Sequence, residues 1–430
     1  MTTDATFFTA SQVYLDGAFE EGRYLEVRDG EIVGTASASP AGAVVDFGHA
    51  AIFPGAVNTH THSHLGLLRG SVNELDLAGW LERVYGAVSK FGPEEAYLSA
   101  VLTFGESLLT GTTTTADFFY LNGYGNERIA AVVDAADELG IRLVMGRTFL
   151  DAEWGGEATR ETVDVAVDRY RELGRTYAGR PRLQLAPAPH SPYGASREMI
   201  EAASQLAREF GSQWYMHLAE SESSAAGIEG VRALELLDRW GVLDDTLVAV
   251  HAVWLTEPEL DLLGERAGRL SYNPASNLFF GERVIDYPGW KRRGITVGLG
   301  TDSSASNNGQ NMFADLRLAA LSQRLRSRNP AEVTNREMLS LLTDDGAAVM
   351  RLPVGALATG LRADFIVLDL DDVSLQPLRH LDAHLIYAMS PTAVRHVFVD
   401  GRQVVKDREL VHVDMAEIAA RINELPADRH

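Results

Sequence analysis

His60 and His62 close the run Val57-Asn58-Thr59-His60-Thr61-His62, with His64 just beyond. They follow the apolar stretch Ala50 to Phe53 and a Pro54-Gly55 turn signal. Side chains alternate along a strand, so His-x-His at a strand end aims both imidazoles to one side. Two neutral imidazoles so placed are how a chain holds zinc or another borderline divalent ion. Further ligand-type residues end later apolar runs: His190 after Leu183–Pro187, His217 and Glu220 after Trp214–Met216, His251 after Leu247–Val250, and Asp302 after Thr296–Leu299. The chain has 12 histidines, and those at 60, 62, 64, 190, 217 and 251 all sit at or just past a strand-like run.

Groups scattered over 240 positions converge only if a repeating framework returns each to the same place. Strand-like runs at Ala56-Val57, Thr112–Thr115, Leu143–Met145, Leu183–Pro187, Trp214–Met216, Leu247–Val250, Leu270–Tyr272 and Thr296–Leu299 supply the repeat. Helical spacing of apolar residues separates them at 95–109, 129–139, 163–173, 198–210, 231–240 and 257–266. Strand–helix alternation predicts an α/β fold with a parallel sheet, and eight units predict a closed (β/α)8 TIM barrel with its site at the C-terminal strand ends. The alternative, an open doubly wound sheet, lacks its Gly-x-Gly-x-x-Gly turn here. The chain ends read differently. Tyr24–Val27, Asp29-Gly30 and Glu31–Val33 form a hairpin signal, as do His396–Val399, Asp400-Gly401 and Gln403–Val405. Val44–Phe47, Ala51–Phe53 and Ala363–Leu368 add strands, and Met415–Leu425 reads as an amphipathic helix. The expected organisation is a small composite β-sandwich built from residues 1–54 and 355–430, around a catalytic barrel at 55–354.

Composition narrows the function. Of 430 residues, 46% are hydrophobic and 23% charged, ordinary for a soluble globular protein. A net charge of -22, from 38 basic and 60 acidic residues, disfavours nucleic acid and anionic membranes as partners. The absence of cysteine removes thiolate ligands and nucleophiles, leaves any metal to His and carboxylates, and fits a cytoplasmic protein. Met1 to Ala10 lacks the marks of a signal peptide, and no apolar run reaches spanning length. A homo-oligomer is expected on general grounds.

These residues also carry a family resemblance. Asn58-Thr59-His60-Thr61-His62 with Leu67-Leu68-Arg69-Gly70, His190-Ser191-Pro192-Tyr193, His217-Leu218-x-Glu220, His251, Asn273-Pro274-x-Ser276-Asn277, and Gly300-Thr301-Asp302 with Ser306-Asn307-Asn308 resemble the amidohydrolase superfamily. Within it they are similar to the metal-dependent deaminases and triazine hydrolases, over nearly the whole chain. The resemblance implies one divalent ion, zinc or else iron, on His60, His62, His217 and Asp302. No lysine ends the fourth strand, where His190 stands, which disfavours a two-metal site.

The implied activity is hydrolytic deamination of an aminated N-heterocycle (a purine, pterin, pyrimidine or adenosine-type ring). A metal-bound hydroxide attacks the ring carbon, and ammonia leaves. Asp302 or His251 takes the water's proton, and Glu220 protonates the ring nitrogen. The alternative on this scaffold is removal of chloride or an alkylamine from a triazine-type ring, or amide hydrolysis. The presence of Glu220 favours deamination. His190 is expected to contact the ring, Trp80 to stack on it or else anchor its loop's helix in the core, and Arg147 to grip a substrate carboxylate or else form a buried ion pair. Asp117 and Tyr120 are pocket or turn residues. His64 is open between a substrate contact and loop structure. Tyr272, where many relatives have His, and Phe279-Phe280 depart from the pattern and make that wall more apolar.

Overall fold

Eight strands carry the ligand-type residues: β1 Ala56–Thr61, β2 Thr112–Phe119, β3 Arg142–Phe149, β4 Leu183–Pro189, β5 Trp214–Leu218, β6 Leu247–His251, β7 Arg269–Tyr272 and β8 Thr296–Leu299. In the computed structural model, which describes residues 5–228 and 230–426, they form two four-stranded sheets. β1 to β4 pair in chain order, all parallel, and so do β5 to β8. The sheets meet at both edges. His217 N donates to His190 O (3.1 Å) between the ends of β4 and β5. Asp302 N donates to His60 O (3.0 Å) beside a parallel Thr61–Asp302 bridge between β8 and β1.

Period-two alternation sorts the strand side chains. Val57, Phe118, Val144, Ala186, Ala188, Tyr215, Val248 and Val250 pack together on one face. Met145, Phe149, Met216, Leu218, Ala249 and Leu270 join the other core with the helices. Those helices include α1 Leu77–Val88, α2 Pro93–Leu109, α3 Glu127–Leu139, α4 Val163–Thr176 and α5 Arg197–Phe210. Local chemistry sets their ends. Asp76 caps α1 by accepting from Gly79 N (2.9 Å), and Ser196 caps α5 by accepting from Met199 N (3.2 Å); each such cap is worth about 1 kcal/mol. Gly140 and Gly211 close α3 and α5 in the left-handed conformation.

Both chain ends build the remaining sheets. Glu31–Ala36, Tyr24–Arg28, Thr6–Thr9 and Ala43–Asp46 form one, in that order. The other has seven strands and draws on both termini, with Ala50–Pro54 pairing antiparallel to Phe365–Asp369. Phe8, Val13, Leu25, Ile32, Ile52, Phe365 and Phe398 make their shared core. Of the stretch read as lacking a leader, residues 1–4 lie outside the described residues and Thr6–Thr9 is a strand. No helix among the described residues is long and apolar enough to cross a membrane.

One ion cluster ties the terminal sheets to the parallel strands. Arg142, opening β3, forks onto Asp364 (2.9 and 3.0 Å) and reaches Asp400 (2.5 Å), which also accepts from Arg362 (2.6 Å). Burial pushes the Asp400 carboxyl up, but the charges and hydrogen bonds of Arg142 and Arg362 outweigh it and hold it below its usual range. A depressed folded pKa stabilises above the unfolded value and is lost as pH falls through the folded one. Asp400→Asn should therefore cost about 3 kcal/mol near pH 7. The gap to the wild type should shrink as pH drops below about 4. Urea midpoints across that range measure it, and a gap independent of pH would contradict the assignment.

Candidate active site

His60 is the next-to-last residue of β1, and His62 follows the strand. His190 directly follows β4, His217 lies within β5, His251 ends β6, and Asp302 stands three residues past β8. Glu220 comes two residues after β5. All are buried, none more than 9% exposed. The His60 ring centroid is 4.5 Å from that of His62, 5.1 Å from His217 and 5.8 Å from His251. Asp302 Oδ1 lies 3.5 Å from His60 Nε2 and 3.3 Å from His62 Nε2. Three interlocking groups, His60/His217/His251, His60/His62/Asp302 and Glu220/His251/Asp302, each bring their ligand atoms within 4.8 Å of one another.

The donor set fits a divalent cation. His62 Nδ1 donates to Phe118 O (2.6 Å) and His217 Nδ1 to His190 O (2.9 Å), which leaves both Nε2 atoms with lone pairs facing the cluster. His60 Nε2 is buried with no hydrogen-bond partner, a cost that a metal would remove. Burial, reinforced by neighbouring histidines, holds His62 and His217 well below the ordinary imidazole range. Neutral imidazole is the form that ligates. Burial pushes the Asp302 carboxyl up, but the close approach of the His60, His62 and His251 rings outweighs it and holds the carboxyl well below its usual range.

His251 faces the same space differently. Asn273 and Asn277 both direct Nδ2 at its Nδ1 (3.3 and 3.2 Å). Its ring proton therefore sits on Nε2, 3.6 Å from Glu220 Oε1 and 3.9 Å from Asp302 Oδ2. Burial, then the nearby charges of Asp302 and Glu282, pushes Glu220 up to about 8. A carboxyl so placed carries a proton at neutral pH.

Backbone detail holds Asp302 in place. Its φ is 57°, left-handed, and its carbonyl accepts from Thr61 Oγ1 (2.9 Å) and Gln310 Nε2 (3.2 Å). Gly300 admits the close approach, since a Cβ there would lie 2.3 Å from Asn273 Oδ1 and 2.9 Å from His60 Cβ. Asp117 accepts from Ser63 N (2.8 Å) and Oγ (2.5 Å), fixing the turn after His62; it is a turn former, not a pocket group. Tyr120 reaches the site, its hydroxyl 3.1 Å from His62 Nε2. His64 is fully buried among His62, Phe119 and Tyr120, with neither ring nitrogen hydrogen-bonded.

Two expected substrate contacts are corrected. Arg147 belongs to the face of β3 that carries Met145 and Phe149. It is wholly buried, bonded to Glu161 (2.8 Å), which also accepts from Arg169 on α4 (2.6 Å). It points to the helix layer, in the ion pair that was the alternative. Trp80, 5% exposed on α1, spends its indole N–H on Ala305 O (3.0 Å) and packs edge-on against Phe280. It anchors α1 to the loop after β8 from one layer behind the cavity. Phe280 itself lines that cavity, and Phe279 packs edge-on against it. Tyr272 is buried with its hydroxyl unpartnered. His190 does stand at the site, 5.1 Å from His217 between ring centroids, and burial pushes it down to about 3. Sequence reading missed Tyr85 on α1 and Trp154, which flank His190; neither belongs to a motif.

Similarity to known proteins extends along most of the chain. The profile described as "Amidohydrolase family" matches residues 51–404. A 5'-deoxyadenosine deaminase of Methanopyrus kandleri is 32% identical over 382 residues, covering 87% of this chain and 85% of its own. A 5-methylthioadenosine/S-adenosylhomocysteine deaminase of Desulfovibrio desulfuricans is 34% identical over 86% of this chain and 83% of its own. Among solved structures, an adenosine deaminase from Xanthomonas campestris with bound zinc superposes with a TM-score of 0.91, at 27% identity over 98% of this chain and 97% of that one. An atrazine chlorohydrolase from Arthrobacter aurescens complexed with zinc gives 0.90, at 26% identity over 97% and 99%.

Proposed function

The chain belongs to the amidohydrolase family, and from that membership we propose that it hydrolyses the exocyclic C–N bond of an aminated N-heterocycle of adenosine type, releasing ammonia. The observation that carries this reading is Glu220, a buried carboxyl with no lysine or arginine partner among the described residues, facing the His/Asp cluster across His251. Chloride departs without a proton, whereas an amine must be protonated to leave, and Glu220 can carry that proton.

His60, His62, His217 and Asp302 would hold one divalent ion, which we take to be zinc, with iron the alternative. Such an ion acidifies water and so supplies a nucleophile near neutral pH. The remaining steps fall to side chains. Asp302, ionised, accepts the proton of the attacking water. His251, with Nε2–H fixed by Asn273 and Asn277, donates a hydrogen bond and orients that water rather than acting as base. Glu220 delivers its proton to the ring nitrogen next to the attacked carbon, takes up the hydroxyl proton of the adduct as the carbonyl forms, passes it to the leaving amine, and is restored by the proton held on Asp302. His190 contacts the ring.

The architecture is part of the same proposal. Hydrogen bonding at both sheet edges supports closure of β1 to β8 into a (β/α)8 barrel. The shared core of the two terminal sheets supports a composite sandwich, with boundaries at 1–54, 55–354 and 355–430. We also take the protein to be a cytoplasmic homo-oligomer.

A coupled ammonia assay on purified protein with 5'-deoxyadenosine, 5'-methylthioadenosine, guanine, cytosine, a pterin and an aminotriazine tests the reading. Ammonia from an adenosine is the expected result, with about one zinc per chain by elemental analysis. The resemblance to the chlorohydrolase motivates a second arm. Release of chloride or alkylamine from a triazine, with no ammonia from any adenosine, would replace the proposal.

A further inference from the structure

Four aromatic rings surround His190, and one of them, Tyr120, also borders the His/Asp cluster. Their centroids lie 5.3 Å (Tyr120), 5.2 Å (Trp154), 5.7 Å (Tyr193) and 6.4 Å (Tyr85) from it. Tyr85 stacks on Tyr120 (5.7 Å, 12°) and meets Trp154 edge-on (5.3 Å). Tyr85 is 8% exposed, yet its hydroxyl has no hydrogen-bond partner. A buried hydroxyl without a partner is costly, so a native site tolerates it where something else supplies the partner. Burial keeps the phenol protonated and able to donate.

Cavities lie on both sides of α1. One, of about 720 Å³, is lined by Tyr85, Tyr124, Trp154, Glu82 and Glu157. The other, of about 500 Å³, is lined by Leu77, Leu81, Tyr193, Phe280, Asp76 and Glu282, and also by Ser221, next in sequence to Glu220. Neither wall contains a lysine or arginine among the described residues. Arg147, the one cation expected to reach a substrate, faces the helix layer instead. An anion entering here would meet carboxylates and no counter-charge.

We propose that Tyr85 and its aromatic neighbours form the subsite for the non-reacting part of the substrate. They take an uncharged group that hydrogen-bonds the Tyr85 hydroxyl, and the carboxylate-bearing walls exclude an anionic one. This rests on the deaminase reading and narrows it. Nucleosides with a neutral 5' substituent bind, and those bearing a 5' phosphate do not.

Binding and turnover separate the two claims. Rapid-mixing titration with 5'-methylthioadenosine, read before the first turnover, should give a Kd that Tyr85→Phe raises about tenfold, the loss of one hydrogen bond. The thermal midpoint of Tyr85→Phe should not fall, because an unsatisfied hydroxyl has been removed. Adenosine 5'-monophosphate should bind at least about 100-fold more weakly than 5'-methylthioadenosine. An unchanged Kd in Tyr85→Phe overturns the subsite, as does comparable binding of the monophosphate. A lowered midpoint with unchanged Kd would make Tyr85 merely structural and also overturns it. Intact 5'-methylthioadenosine binding without ammonia release would instead overturn the reaction assigned above.

Discussion

Glu220→Gln should lower the rate of ammonia release about 10³-fold and leave the metal content unchanged. The amide has the shape of the protonated carboxyl and can still donate a hydrogen bond. It cannot release a proton to the ring nitrogen, nor pass one on to the departing amine. Glu220 borders the cluster, its Oε1 3.6 Å from His251 Nε2. It is not one of the four ligands proposed above, though it meets His251 and Asp302 in the cluster, so metal content reads its role separately from turnover. The effect should fall on kcat, with substrate affinity nearly unchanged, because the proton moves only in the transition state. Single-turnover kinetics beside elemental analysis of the same sample makes the test. A variant with a tenth or more of wild-type kcat would remove Glu220 from the mechanism.

Asp302→Asn should abolish both activity and metal retention. Asp302 contributes the negative charge of the cluster and, in the proposed mechanism, the base that takes the water's proton. An amide supplies neither, and the expected loss is about 10⁴-fold or more. Dialysis against a chelator should strip the variant while the wild type keeps its ion. Asp302 also spans two strand ends, through its backbone N–H on His60 O and its carbonyl on Thr61 and Gln310. The amide leaves those main-chain bonds in place, so the thermal midpoint reports the lost ion rather than a broken loop. The two variants together dissociate the functions: one loses turnover alone, the other turnover and metal. Stoichiometric metal in Asp302→Asn, or activity within tenfold of the wild type, would defeat the ligand assignment.

How much of this could be read beforehand depended on period. His60, His62, His190, His217, His251 and Asp302 were legible because each sits where an apolar run stops, and parallel strands present their ends together. Side-chain facing was not legible where both faces are apolar. Val144-Met145-Gly146-Arg147 gives no alternation to phase, so the inward or outward direction of Arg147 had to come from packing. Trp80 and Tyr85 lie on α1, whose run from Leu77 to Val88 itself carries no family motif. Only its docking under the loop after β8 decides which side chain lines the cavity. The helix expected over 231–240 runs from Ala233 to Arg239, because Val231 bridges back to Ile228 and Arg232 holds an extended conformation at the N-cap. At the start of the chain, Thr6–Thr9, Gln12–Leu15 and Ala18–Glu20 were foreseeable only as strand-rich texture. They pair with one another and with Tyr24–Arg28, Ala43–Asp46 and Ala50–Pro54, and of these Ala50–Pro54 also takes a partner far away in sequence.

That distant pairing has a cost during synthesis. Ala50–Pro54 finds its antiparallel neighbour, Phe365–Asp369, only after more than 300 further residues have been made. At roughly 5–20 residues per second, the nascent amino-terminal segment waits on the order of 15–60 s with an unpaired hydrophobic edge. Ile52 and Phe53, inaccessible in the finished molecule, stay open to chaperones and to other nascent chains for that whole interval.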